Sequence, residues 1–197
     1  MTNKVVTLWV LGVVLSIAFS ASTIGNIALA ETLSEAEFID EARVKSMALG
    51  AELKQALQAA IKQGGLTEGI RVCKELAPQL AAKYSVNGWQ VGRTSLKVRN
   101  PNNAPDGWET EALIAMENAL ANGGAPMQAA QANTGTDLAE WRYMQPIVTQ
   151  AVCLNCHGAQ LTPDVSQTLQ VHYPEDQATG FEDGQLRGAF TLHYQRE

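Results

Sequence analysis

Two cysteines two residues apart with a histidine directly behind them, Cys153-Leu154-Asn155-Cys156-His157, constrain this chain more than any other stretch. The pattern C-x-x-C-H is the attachment signature of a c-type haem. Thiols at that spacing each form a thioether with one of the two haem vinyl groups, and the residue that follows brings an imidazole under the iron as its proximal ligand. A covalent tether of this kind holds a haem even in a small protein that cannot fully enclose it. Other uses of the pair fit less well. A redox dithiol usually belongs to a thioredoxin-like βαβ pattern, which the chain does not have. A structural zinc needs four ligands, and the histidines and cysteine that remain, Cys73, His172 and His193, are not paired at zinc spacing. A disulfide or a chance pair is the last alternative. One motif implies one covalently attached haem c.

The chain has 197 residues, enough for one domain with room for a helical extension. Lys4 followed by the apolar run Val5 to Phe19 has the anatomy of a secretory leader, and Ala28-Leu29-Ala30 is a small-x-small cleavage site. The mature chain is therefore expected to start at Glu31, the first acidic residue. The alternative is an uncleaved anchor, although the run is short against the roughly 20 apolar residues of a membrane span. An exported protein fits the motif, because haem c is attached outside the cytoplasm. The expected compartment is a periplasm, or a thylakoid lumen in a photosynthetic source. The net charge is −6, and it becomes −7 once Lys4 leaves with the leader. That excess argues against nucleic acid and anionic membrane surfaces and permits docking to a basic redox partner. Any membrane contact is expected only through an uncleaved leader. Three cysteines, with two taken by the motif, leave one over in an oxidising compartment.

Leu33 to Gln63 reads as one long amphipathic helix, opened by Ser34 and Glu37 at capping-box spacing and closed by Gly64-Gly65. A second helix is expected from about Thr67 to Lys83, with Pro78 kinking it. Leu66, Ile70, Cys73, Ala77 and Leu80 recur at helical spacing and place Cys73 on the buried stripe. Its residue chemistry leaves two roles open, a small buried hydrophobe or the distal ligand of the iron. His172 competes for the ligand role, and Met47, Met116, Met127 and Met144 are weaker competitors.

Trp89 to Arg99 alternates like a strand, with a change of phase near Thr94 that a bulge or turn would explain. Arg93, Lys97 and Arg99 are candidates for contacts with haem propionates; a solvated strand face is the plainer role for each. Arg99 to Pro105 is a turn segment. Asp106 and Glu109 open a helix that runs to Leu120 and closes at Asn122-Gly123-Gly124. Ala125 to Thr136 reads as a loop or short hairpin, and Leu138 to Met144 as a strand that Pro146 breaks. Pro163 opens a short helix with Val165, Leu169 and His172 on one side. A turn-rich loop from Tyr173 to Gly184 leads to a strand over Leu186 to His193, with His193 on its solvated face.

Taken together and in order, several stretches resemble a known family of c-type haem proteins with a PAS-like fold. They include Val72-Cys73-Lys74-Glu75-Leu76-Ala77-Pro78, Gly92-Arg93-Thr94-Ser95-Leu96-Lys97, Arg99-Asn100-Pro101 and Asn103-Ala104-Pro105-Asp106 with Trp108-Glu109. The haem motif, Tyr173-Pro174, Ala178-Thr179-Gly180 and Arg187-Gly188-Ala189 follow. That family was long catalogued as a domain of unknown function. It occurs as a stand-alone periplasmic protein and as the sensory domain of histidine kinases. The resemblance implies an α+β fold, with a central antiparallel sheet flanked by helices. It implies His157 as proximal and Cys73 as distal ligand. The expected division is a leader over 1–30, an N-terminal helix over 31–65 and the PAS-like haem domain over 66–197.

Two uses follow from a His/Cys iron: low-potential electron transfer, and redox sensing. A haem-based gas sensor working with a partner is the alternative. A peroxidase-like enzyme fits least, because it needs an open distal site and an acid–base group, and a bound Cys73 would close that site. No kinase or cyclase signature is read in the chain, so a sensor would need a separate transmitter.

Overall fold

Ser34 starts the first element as its spacing predicts. Its hydroxyl accepts from the Glu37 N–H at 3.3 Å, and its own N–H donates to the Glu37 carboxylate at 2.8 Å. The structure, a computed structural model, describes residues 33–133 and 140–195. The leader and its cleavage site fall on residues 1–32, outside the described residues. Helix α1 spans Glu35–Tyr84 and is broken by Gly64 and Gly65, whose dihedrals leave the helical region. Gly65 has φ +76°, which suits a residue without Cβ. Two limbs result, close to the two helices read from the sequence. The break sits at the glycine pair and not at Pro78, where the backbone stays helical. A proline's fixed φ is compatible with a helix, whereas two adjacent glycines make leaving it inexpensive.

Four strands, β1 Trp89–Thr94, β2 Ala129–Asn133, β3 Glu140–Val148 and β4 Leu186–Gln195, form one antiparallel sheet in the order β1-β4-β3-β2. Helix α2 spans Gly107–Ala121; α3, Leu154–His157; and α4, Pro163–His172. These elements belong to one unit, Leu33–Glu197. The first limb of α1 covers one face of the sheet: Phe38, Ala42 and Leu49 pack on Trp89, Val91, Tyr143 and Leu192. Phe38 stacks on Trp89 at 5.3 Å between ring centroids. The segment read as an N-terminal helix thus supplies three of the seven buried residues of the main core. On the opposite face Leu113 and Met116 of α2 meet Met144, Leu186 and Ala189. A third, smaller cluster joins Ile70 on the second limb of α1 to Val165 and Leu169 of α4, with Cys156 at its edge.

Three local details differ from the sequence reading. Pro146 does not break β3, which runs on to Val148 and pairs Pro146 with Ala189. Pairing with β2 stops at Met144, so β3 has a partner on one side only at Pro146, where a missing N–H is tolerated. The phase change after Thr94 is the end of β1, and both Thr94 and Ser95 turn inward. His193 is half-buried, not solvated. Its ring lies 3.2 Å from an Arg142 nitrogen and 3.9 Å from Glu109. Among the described residues no helix is long and apolar enough to cross a membrane.

Candidate haem site

The motif forms one tight turn. A 3-10 turn over Ala151–Cys153 runs directly into α3, which ends at His157. Cys153 and Cys156 are three apart on it and so share a side. Both are half-buried and unpaired, as is Cys73. The N–H of Gly158 closes the turn on the Leu154 carbonyl at 2.9 Å, and a Cβ at that position would come within 2.6 Å of the same oxygen. Glycine is therefore required directly behind the histidine. The loop between α4 and β4 straps across this turn: Phe181 N–H donates to the His157 carbonyl at 2.9 Å, and Gly180 N–H to the Gly158 carbonyl at 3.1 Å.

His157 lies among cations. Its Nδ1 is 2.7 Å from the Ala178 carbonyl oxygen and 3.2 Å from Nε of Arg187. These cannot both be hydrogen bonds, because one ring nitrogen carries either a proton or a lone pair. A carbonyl can only accept, and its contact is the shorter, so Nδ1–H donates to Ala178 and Arg187 stands beside it as a charge. Burial, then Arg187 and Arg99, hold the imidazole's proton affinity down to about pH 2. The ring is thus neutral with the Nε2 lone pair free, the tautomer in which a histidine binds a metal.

Arg99 ties the motif to the strap. Its Nε is 3.0 Å from Asp176, and Nη2 donates to the carbonyls of Cys156 at 2.6 Å and Ala178 at 3.2 Å. The pair with Asp176 is buried, with side chains 12% and 9% exposed. Lys97 is exposed and sits 3.4 Å from the Thr179 carbonyl and 5.1 Å above Phe181. Arg93 is half-buried, and its guanidinium makes no hydrogen bond or ion pair among the described residues. Burial lowers its proton affinity, which Cys73 and Tyr173 partly restore. The Cys73 thiol is pushed up by burial and drawn back by Arg93 and Arg99. Cys73 also acts on the thiol of Cys156, so the second limb of α1 and the motif share one electrostatic environment.

Of the sequence candidates, Cys73, Arg93, Arg99, Cys156 and His157 come together, while Lys97 lies at the rim. Met116 and Met144 are spent in the core; Met47 and Met127 are exposed. His172 is the last residue of α4 and offers its carbonyl to Lys74 at 2.7 Å. Three participants were missed: Arg187, Asp176 and Tyr173, whose hydroxyl burial raises to about 12. Their only sequence signal was membership in the resemblance or in a turn-rich loop. Three guanidinium groups, Arg93, Arg99 and Arg187, influence one another here, and Asp176 is the one carboxylate bonded to them among the described residues. Also among the described residues, no three His, Cys, Asp or Glu side chains are grouped to hold a bare metal ion. A groove of about 660 Å³, lined by Leu96, Lys97, Leu120, Phe181 and Leu186 among others, lies beside the strap and includes neither His157 nor any cysteine.

An antiparallel sheet between a broken long helix and a shorter one, with a C-x-x-C-H turn strapped beneath a cluster of arginines, defines a PAS-like α+β protein. The chain belongs to the Tll0287-like family, whose model matches residues 28–194. It is similar to a solved structure, the cyanobacterial haem protein Tll0287, at 28% identity and a TM-score of 0.56, over 77% of this chain and 93% of that one. No curated protein matches it.

Proposed function

We propose that this chain is an exported mono-haem c-type protein acting in low-potential electron transfer or redox sensing outside the cytoplasm. Cys153 and Cys156 would form the thioethers, with His157 as the proximal ligand and Cys73 as the distal one. The observation that carries the reading is the state of His157. It follows the cysteine pair directly, is kept neutral, and has Nδ1–H committed to Ala178 so that Nε2 is left to bind a metal. The solved relative, itself a haem protein, supports haem as the group.

The residues present fit the group. Among the described residues Arg93 is the one guanidinium of the cluster without a protein partner, since Asp176 pairs with Arg99 and Ser95 and Lys97 hold Arg187, and it suits an acidic tail such as haem carries. Bound here, the iron supplies one-electron chemistry. The chain's own residues do the rest. Ala178 fixes the ring orientation of His157, Arg99 and Asp176 hold the strap on the motif, and a thiolate from Cys73 favours ferric iron and so a low potential. With His157 and Cys73 both ligating, the group would serve transfer of electrons over catalysis, which needs an open position and an acid–base group. The test is acid–acetone extraction of protein made in a host that attaches haem c. Haem is expected to stay on the polypeptide, in a ratio of one, and the double variant Cys153→Ser, Cys156→Ser should release it. Haem that extracts freely from the wild type would overturn the proposal.

A further inference from the structure

We propose that Arg187 is a charge-setting residue for the proximal histidine, raising the midpoint potential of the site against the downward pull of its thiolate. The inference rests on the haem reading above and adds to it the residue that regulates the potential. The geometry is specific. Arg187 lies on β4, and its Nε sits 3.2 Å from Nδ1 of His157. The rest of the guanidinium is anchored elsewhere. Nη1 donates to the Ser95 hydroxyl at 3.1 Å and to the Lys97 carbonyl at 3.4 Å, and the group lies 5.3 Å from the Phe181 ring centroid. Ser95 is itself buried, and its hydroxyl donates back to the Arg187 carbonyl at 2.7 Å. The side chain is thus held from both its ends.

None of these partners is a carboxylate. Asp176, the acidic group that acts on Arg187, is hydrogen-bonded to Arg99. A positive charge is therefore fixed next to the ring and only partly compensated, in a half-buried place where solvent screens it weakly. Nδ1–H is committed to Ala178, so Arg187 is not needed to fix the tautomer. What remains for it is electrostatic. A cation close to a metal's ligand disfavours the oxidised metal, which carries one more positive charge than the reduced one. The Ala178 hydrogen bond acts in the opposite sense, by making the ring a better donor. The two neighbours of Nδ1 thus oppose each other, and the charge of Arg187 would moderate the effect of a thiolate ligand.

The experiment is a redox titration of haem-loaded wild type, Arg187→Gln and Arg187→Lys. The glutamine variant removes the charge while keeping an amide for Ser95. Its ferric-to-ferrous ratio at a fixed potential is expected to rise about tenfold, a midpoint lower by about 59 mV for one electron. The lysine variant keeps the charge but loses the planar fork, and should recover most of that shift. A purely structural role would give the reverse pattern, with lysine no better than glutamine. An unchanged midpoint in the glutamine variant, or an equal fall in both variants, overturns the proposal. Should Arg187→Gln fail to accumulate, Ser95→Ala carries the test, because it releases the guanidinium from its hold without removing it. A smaller fall in midpoint is expected there, and none would overturn the idea. A protein that never retains haem fails the extraction test instead, which separates failure of the haem reading from failure of this one.

Discussion

Cys73 and His172 are rivals for one role, and their surroundings separate them. Cys73 lies on the second limb of α1, half-buried; burial pushes its thiol up, and Arg93 and Arg99 beside it draw it part of the way back. His172 ends α4, where its backbone is engaged by Lys74. Cys73→Ala is expected to convert a low-spin ferric spectrum to that of a five-coordinate or water-bound haem which binds added ligands readily, whereas His172→Ala should leave the spectrum nearly unchanged. If the histidine variant loses the low-spin signature and the cysteine variant keeps it, the iron is bis-histidine. Asp176 gives a second test at this scale. It neutralises Arg99, which in turn holds the carbonyls of Cys156 and Ala178. Asp176→Asn leaves a buried guanidinium without its counter-charge, and removing one partner of a buried pair costs about 3 kcal/mol. Urea unfolding should show a loss of that order. A change within the few tenths of a kcal/mol usual for a surface site would mean that the strap is held otherwise.

Helix α2 is locked to the sheet by Glu109, and the lock is sensitive to acid. Burial pushes the Glu109 carboxyl up, but it is outweighed by the neighbouring His193, by hydrogen bonds from Thr191 and the Asp106 N–H, and by Arg142, leaving it at about 2. The folded value lies below the ordinary 4.5. The resulting stabilisation, about 3 kcal/mol, is therefore fully present above pH 4.5 and is lost as the pH falls from there toward 2. Urea midpoints measured across that window should fall for the wild type. Glu109→Gln should be the less stable protein at neutral pH, with the gap closing toward pH 2; a gap independent of pH would show that the charge is not what holds α2. The pairing of β1 with β4 depends on a different feature. Gly188 has φ +150°, and a Cβ there would lie 2.3 Å from the Thr94 carbonyl oxygen. Gly188→Ala should cost about 3 kcal/mol through strain and displaced strands. Gly107→Ala, at a helix start where a Cβ meets nothing within 4 Å, should change stability by no more than about 0.5 kcal/mol.

What could be read from the sequence follows from which forces are local. Cys153, Cys156 and His157 were legible because haem attachment dictates their spacing, and Gly64-Gly65 and the two capping boxes because helix ends have their own chemistry. Strand β2, Ala-Ala-Gln-Ala-Asn, was not legible as a strand, since its conformation comes from pairing with β3 and not from its own pattern. The contact of Arg187 with His157 spans 30 residues and exists only because the strap folds back over the motif. Arg93 was legible as a cation on a strand, but not as the one cation of its cluster left without a partner among the described residues. That distinction gives a test involving the whole molecule. Arg99 is paired with Asp176 and Arg187 is held by Ser95 and Lys97, so in protein produced without haem attachment Arg93 adds repulsion and desolvation with little in return. Arg93→Gln should raise the stability of that form by up to about 1 kcal/mol. In haem-loaded protein, if a propionate pairs with Arg93 as proposed, the same substitution should lower stability by about 1–2 kcal/mol, because it would remove a charge-assisted hydrogen bond. Thermal melts of the four proteins decide it. Opposite signs in the two forms identify Arg93 as the propionate's partner; equal falls in both would reduce it to a packing residue of the sheet edge.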